Sequence, residues 1–370
     1  MNSELTEMLG LEFPVCGFSH CRDVVIALSK AGGLGVLGTA RYSPEQFDIE
    51  LSKIDEALDG KPYGVTIIFP AAKPDAQPMD PESLRSQVPE DYWDYIGSLK
   101  ERFGIPLQSV DGPGDGAVNA YPLTRDHALA MLEVVKKHPV ALVSSAIGAP
   151  PTDAVEELHA LGMKVSGQVG DPKHVQRHLD AGVDLIVATG TEAGGHTGEI
   201  GSLVLTPQVV RAAGDIPVLT AGGVGTGAQV AAAFALGAQG VWMGSAWLVT
   251  QESDLPEPLK ELLVKASVSD TRRSRSLSGR MARQLRTPWV EAWEEEGAPE
   301  PLLPPLQGVL VKDAQSAMLR AQGGVNSGTP VGQIVGDLTA IRPVRDVLQE
   351  IMADSVEAAE RVQNAYSGLI

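Results

Sequence analysis

The chain has 370 residues, 43% of them hydrophobic and 21% charged, with a formal net charge of -18. That length exceeds the roughly 250 residues of a single (β/α)8 barrel and leaves room for a smaller second unit. The negative balance argues against nucleic acid or an anionic membrane as partner, and two cysteines, Cys16 and Cys21, are too few for a disulfide scaffold.

The opening residues MNSELTEMLG lack a basic stretch ahead of an apolar run, so no signal peptide is read and the cytoplasm is the expected location. Short β-branched apolar runs then alternate with helical patterns. Strands are expected over residues 13–18, 34–38, 63–69, 140–145, 164–169, 185–189, 217–221 and 241–245. Several are apolar at consecutive positions, the pattern of strands covered on both faces by helices. Helical spacing appears in DAVEELHAL (153–161), in HVQRHLDAG after Asp171-Pro172, and in TGAQVAAAFAL (226–236). Eight strands in strict β–α alternation predict an α/β fold, a closed TIM (β/α)8 barrel over residues 1–250. The uncharged stretch 216–251 is broken by Pro217 and many glycines, and is read as buried barrel rather than a membrane span.

Two regions depart from the alternation. Residues 70–122, rich in Pro, Asp and aromatics such as Tyr92, Trp93 and Tyr95, form a long insertion after the third strand. From 251 to 340 helices and Pro-rich loops predict a small, mainly helical domain, and 341–370 a C-terminal helix that returns to the barrel.

Chemistry is expected at the C-terminal ends of the strands. After the sixth comes Thr189-Gly190-Thr191-Glu192-Ala193-Gly194-Gly195-His196, a glycine turn that lets backbone approach a flat ligand and presents an imidazole suited to proton transfer near neutral pH. After the seventh comes Ala221-Gly222-Gly223-Val224-Gly225-Thr226-Gly227, entering a helix as a phosphate site would. The dinucleotide pattern is met only superficially there, because no acidic residue follows between Ile216 and Gln251 to hold a ribose. A mononucleotide phosphate is therefore expected, shared with Trp242-Met243-Gly244-Ser245 after the eighth strand. His174 and His178 have metal-compatible spacing but no third ligand, and are read as an exposed helix face. The arginines at 272, 273, 275, 280, 283 and 286 form a basic cluster, expected to be neutralised by the acidic stretch 291–296 or to bind an anionic substrate tail.

The segments EAGGHTG, LTAGGVGTG, WMGSAWL, AGGLGVLG, YGVTIIFP and SGRMARQLRTPW resemble the nitronate monooxygenase (2-nitropropane dioxygenase) family from about residue 11 to 345. The resemblance implies an FMN-dependent oxidoreductase that uses O2 to turn nitronates or nitroalkanes into a carbonyl compound and nitrite. It implies His196 as the catalytic base or orienting group. Thr66, Gln168, Thr189, Gly194, Gly195, Gly222, Gly223, Trp242, Met243, Gly244 and Ser245 would contact FMN. The chain departs from the family pattern at Cys16 to Cys21, at Thr66 and at Thr189, which makes Cys16 and His20 substrate-side candidates. The alternative is an NAD(P)H-dependent FMN reductase of quinones or enoyl thioesters on the same barrel. Partners are then small molecules and O2, with NAD(P)H in the alternative, and a homodimer is compatible with either reading.

Overall fold

The computed structural model describes residues 2–69, 81–106 and 124–367. The expected insertion therefore lies partly outside the described residues. Eleven strands are present among the described residues: β1 (Val15–Ser19), β2 (Leu34–Gly38), β3 (Gly64–Ile67), β4 (Leu142–Ser145), β5 (Lys164–Val169), β6 (Leu185–Thr189), β7 (Gly195–His196), β8 (Val218–Ala221), β9 (Gly240–Met243), β10 (Thr271–Ser274) and β11 (Ala282–Leu285). Eight of them close a parallel barrel in the order β1-β2-β3-β4-β5-β6-β8-β9. Closure runs through β9 and β1, where Val15 pairs with Val241 and Cys16 with Trp242.

The consecutive apolar residues of each strand serve two cores. In β6, Leu185 and Val187 join the barrel-interior cluster with Cys16, Leu34, Val36, Leu142 and Leu219. Ile186 and Ala188 point the other way, into the larger cluster beneath the surrounding helices. Strand alternation thus appears as an unbroken apolar run because both faces are covered.

Beyond the barrel, helices Pro81–Ser86 and Glu90–Arg102 pack on helix Leu306–Gln322. Trp289, Val290, Leu310 and Met318 are wholly or almost wholly buried there, with Tyr92, Trp93 and Tyr95 at the margin. The stretch after residue 251 is not only helix and loop. β10 and β11 form an antiparallel hairpin, and β11 pairs with β7, so Ala282 faces His196 and Arg283 faces Gly195. Their sequences, TRRS and ARQL, lack apolar alternation. Pairing with the loop after β6, a long-range partner, is what makes them strands.

The final helix, Val344–Tyr366, places Val344, Leu348, Ile351 and Met352 in one cluster with Val15, Val24 and Trp247 of the barrel. Burying each such side chain stabilises the fold by roughly 1.5–3 kcal/mol. Gly227, first residue of helix Gly227–Ala235, allows the close approach: a Cβ there would meet Asp354 and the backbone nitrogen of Ser355. Gly227→Ala is expected to destabilise by about 1–3 kcal/mol through overpacking, read as a lower urea midpoint at unchanged m-value.

His178 departs from expectation. Its helix, Val175–Asp180, turns it inward against Gly167 of β5, wholly buried, with neither ring nitrogen hydrogen-bonded. Burial pushes its pKa down to about 4, assisted by Arg177 and His174. Below about pH 6.5 the unfolded chain binds a proton that the folded chain refuses. Stability is therefore complete above that pH and is lost as pH falls toward 4, at up to about 1.4 kcal/mol per pH unit from this group. Urea unfolding at pH 7 and pH 5 should show the loss, and His178→Leu should reduce it.

Candidate active site

A cavity of about 810 Å3 opens at the C-terminal ends of the barrel strands. Its size lies within the range of small-molecule sites, about 300–1,000 Å3. Thr66, Gln168, Thr189, Gly194, Gly195, His196, Gly222, Gly223, Trp242, Gly244 and Ser245 all line it, as does His20. Met243 does not. It packs with Val15, Val24 and Trp247, and its carbonyl accepts from Trp247 Nε1 at 2.9 Å. Cys16 does not line it either. It is wholly buried in the apolar barrel interior, and burial pushes its thiol far above the ordinary range. That placement leaves Cys16 no access to a substrate in the cavity.

His196 is held from two sides. Because a carbonyl only accepts, the 3.1 Å contact to Met281 requires the proton on Nδ1, with Nδ1–H donating to Met281 C=O. Nε2 then keeps its lone pair, and Ser278 O–H donates to it at 3.3 Å. His196 is exposed where it lines the cavity, with protein crowded around it. Desolvation by that crowding lowers its pKa and Arg280 adds to the effect, with the Met281 carbonyl opposing. The imidazole is therefore neutral at pH 7, with its lone pair on Nε2 accepting from Ser278.

His20 repeats this arrangement on the other side. Its Nδ1–H donates to Gly38 C=O at 3.1 Å, and Gly38 must be glycine because a Cβ would strike the ring. Burial, with Arg41 second, pushes its pKa down to about 4, against the Gly38 contact and Asp254. Phe18 lies between His20 (ring centroids 5.1 Å apart, edge-on) and Trp242 (6.5 Å, stacked), forming an aromatic wall across β1 and β9.

The glycines of the site serve close approach. Gly222 and Gly223 have φ of 87° and 71°, a left-handed pair that most side chains avoid. A Cβ on Gly194 would lie 2.7 Å from Val331 C, so this glycine admits the segment that closes the cavity from the C-terminal side. Gly332 N–H donates to the Ser245 hydroxyl at 2.8 Å and Gln333 N–H to the Glu192 carbonyl at 2.9 Å, securing the closure. Glu192 itself is structural: its carboxylate accepts from Ser202 N–H and O–H at 3.0 Å, at the start of helix Ser202–Ala213.

The donors left for a phosphate are specific. Gly225 and Thr226 N–H groups already donate to Gln229 Oε1, at 2.8 and 3.0 Å. Gly223, Val224 and Ser245 N–H groups have no partner within the described residues. Thr189 Oγ1 is buried beside the cavity without a partner, and the Gln168 amide makes no hydrogen bond among the described residues. Unsatisfied groups at the end of β6 and β5, with a glycine cradle after β8, suit a polar planar ligand that ends in phosphate. Among the described residues no group of His, Cys, Asp and Glu is arranged to hold a metal, and no helix is long and apolar enough to cross a membrane.

A family profile described as nitronate monooxygenase matches residues 2–354. The chain belongs to the nitronate monooxygenase family. It is an oxidoreductase of that family, and its barrel is shared with a nitroalkane oxidase from Streptomyces ansochromogenes, 28% identical with a TM-score of 0.78, covering 97% of this chain and 99% of the other. A putative monooxygenase of Mycobacterium tuberculosis is 42% identical over 98% of this chain and 99% of its own length. A 5-hydroxy-7a-methyl-1-oxo-octahydro-1H-indene-4-carboxyl-CoA dehydrogenase of Rhodococcus jostii is 27% identical, over 96% of each chain.

Ser278, Phe18 and the wall contributed by Ser327, Thr329, Pro330 and Gly332 were not distinguishable as site residues from the sequence. Ser278 carried a signal as the first residue of the nitronate monooxygenase-like segment SGRMARQLRTPW, and Phe18 as part of the departure at Cys16 to Cys21. The Ser278 hydroxyl favours neutral His196 by donating to the basic nitrogen. Ser278→Ala should therefore raise the His196 pKa toward its ordinary value, seen by NMR titration of the ring and as an acid limb of the rate profile moved to higher pH.

Proposed function

We propose that the protein is an FMN-dependent nitronate monooxygenase, oxidising nitronates or nitroalkanes with O2. The observation that carries this reading is His196: a neutral imidazole with an unprotonated Nε2, lining a cavity that also offers a phosphate cradle. FMN would supply the electron-transfer chemistry that side chains lack. Gly223, Val224 and Ser245 N–H groups would hold its phosphate, while Thr189 Oγ1 and the Gln168 amide would meet its polar ring edge. The aromatic wall of Phe18 and Trp242 keeps water from one side of the cavity.

His196 has two tasks in this reading. With a neutral nitroalkane, Nε2 accepts the α-proton, and the positive ring then stabilises the anion formed. With a nitronate, already an anion, no proton need be removed, and the ring only orients. Its lowered pKa keeps Nε2 unprotonated through neutral pH, so nitroalkane turnover is lost on acidification below the ordinary histidine range while nitronate turnover is less affected.

A second reading is favoured by the relative named as a carboxyl-CoA dehydrogenase: an NAD(P)H-linked FMN reductase acting on a thioester or quinone. The two separate on anaerobic mixing. The monooxygenase reading expects no flavin bleaching by NADH or NADPH, and O2 uptake that depends on nitronate. His196→Asn is expected to lower kcat/KM for nitroethane by about 10²–10⁴, the usual worth of a positioned base, and to lower that for ethylnitronate far less. Equal losses on the two substrates would reject proton abstraction by His196.

A further inference from the structure

The arginine cluster on the β10–β11 hairpin is only partly neutralised by the acidic stretch that follows it. Arg272 pairs with Glu294 at 2.9 Å and Arg286 with Glu291 at 2.6 Å. Arg275 is spent on the carbonyls of Gly279 and Pro301, both at 3.1 Å. Arg273 and Arg283 have no carboxylate partner among the described residues, yet they stand directly opposite each other in the antiparallel register. Directly opposed side chains in such a pair share one face with Cβ atoms about 4.5–5.5 Å apart, and like charges there repel. Solvent relieves this only in part. Arg283 is 8% exposed, and Arg273 Nε is buried without an acceptor. The acceptors that Arg283 has are neutral, the Thr191 carbonyl and the Thr271 hydroxyl, both at 3.0 Å. Glu192 is the carboxylate whose charge reaches Arg283, and its oxygens are turned to Ser202 instead. Burial and then Arg273 hold the Arg283 guanidinium below its ordinary pKa.

Two uncompensated guanidinium groups on one face, in a chain of net charge -18, form a site short of an anion. We propose that Arg273 and Arg283 bind a phosphoryl group of a ligand whose other end reaches the active-site cavity. Its position sets the connection. Arg283 pairs with Gly195, which lines the cavity, and the neighbouring pair is Ala282 with His196. Neighbouring register positions face opposite sides of a sheet, so a phosphoryl group on the arginine pair lies on the face away from the His196 ring, and the ligand reaches the cavity past Gly195. Arginine's planar fork suits such an oxyanion. Coenzyme A and a nicotinamide dinucleotide both carry this chemistry. The site does not depend on the nitronate reading, because it is read from charge and register alone.

Thermal unfolding of the flavin-loaded protein tests it, with inorganic pyrophosphate, coenzyme A, NADPH and NADH as separate probes and KCl matching the ionic strength. Matched salt removes the part that screening alone would give. The wild type is expected to gain Tm with pyrophosphate beyond the KCl control, and calorimetric titration should give an affinity at least tenfold weaker in Arg273→Gln. Coenzyme A against NADPH identifies the source, and NADPH against NADH tells whether the 2′-phosphate is the group held. Arg283→Gln risks the Thr191 contact, so Arg273→Glu is the second variant. It replaces the repulsion by an ion pair, and should melt higher than wild type without anion and gain nothing from pyrophosphate. A wild-type Tm indifferent to all four probes, or an Arg273→Glu protein that responds as the wild type does, would overturn the proposal.

Discussion

The active-site imidazole takes both its position and its tautomer from a carbonyl 85 residues further along the chain. Met281 C=O can only accept, so it fixes the proton on Nδ1 of His196 and leaves Nε2 free. The pairing of β7 with β11 holds the two segments in register. Nothing in the sequence Gly194-Gly195-His196 itself selects a tautomer. The small three-stranded sheet is therefore more than a decoration on the barrel. It gives the His196 ring a defined tautomer and orientation, the kind of support that a precise site requires.

This dependence explains what was legible in the sequence. Several of the eight barrel strands are continuous apolar runs, and each was found within a few residues of its place, because double-sided burial imposes a pattern on composition. The glycine turns at 194–195 and 222–223 were legible for a related reason: only glycine tolerates the backbone approach or the left-handed φ there. The strands Thr271–Ser274 and Ala282–Leu285 were not legible, since they are charged, short and created by a long-range partner. His178 was misread as exposed because helical spacing alone does not say which face of Val175–Asp180 meets β5; the missing Cβ at Gly167 is what admits the ring. Cys16 attracted attention by its place before the altered segment Gly17-Phe18-Ser19-His20. Strand alternation decides against it, since Cys16 falls two positions below Phe18 on the same face, in the packed interior rather than at the rim.

The two histidines of the cavity show how one local device yields different groups. Both donate Nδ1–H to a backbone carbonyl at 3.1 Å, and both are held neutral by burial. His196 faces a serine hydroxyl on a hairpin turn, which leaves its lone pair weakly engaged and open to the cavity. His20 sits beside Arg41, itself tied to Asp254 at 3.1 Å, and is pushed down to about 4. A ring so reluctant to take a proton is a poor base at neutral pH and a good neutral wall. Their unequal surroundings, rather than their identity as histidines, set the two rings apart.

The cavity is assembled from two parts of the chain that carry different information. The ends of β5, β6, β8 and β9 contribute polar groups and glycines suited to a phosphate-bearing planar ligand. The far wall comes from Leu255, Pro256, Leu259, Leu319 and the stretch 327–334. This wall mixes apolar residues with Ser327 and Thr329, and the Gly332–Ser245 hydrogen bond ties it to the end of β9. In the proposed reading, a cofactor would bind at the first part and the second would bear on the choice of substrate. Family membership therefore determines oxidoreductase chemistry more firmly than substrate. Relatives whose names place them on a monooxygenase and on a carboxyl-CoA dehydrogenase are the outcome expected when one cofactor end is retained and the opposite wall is free to change.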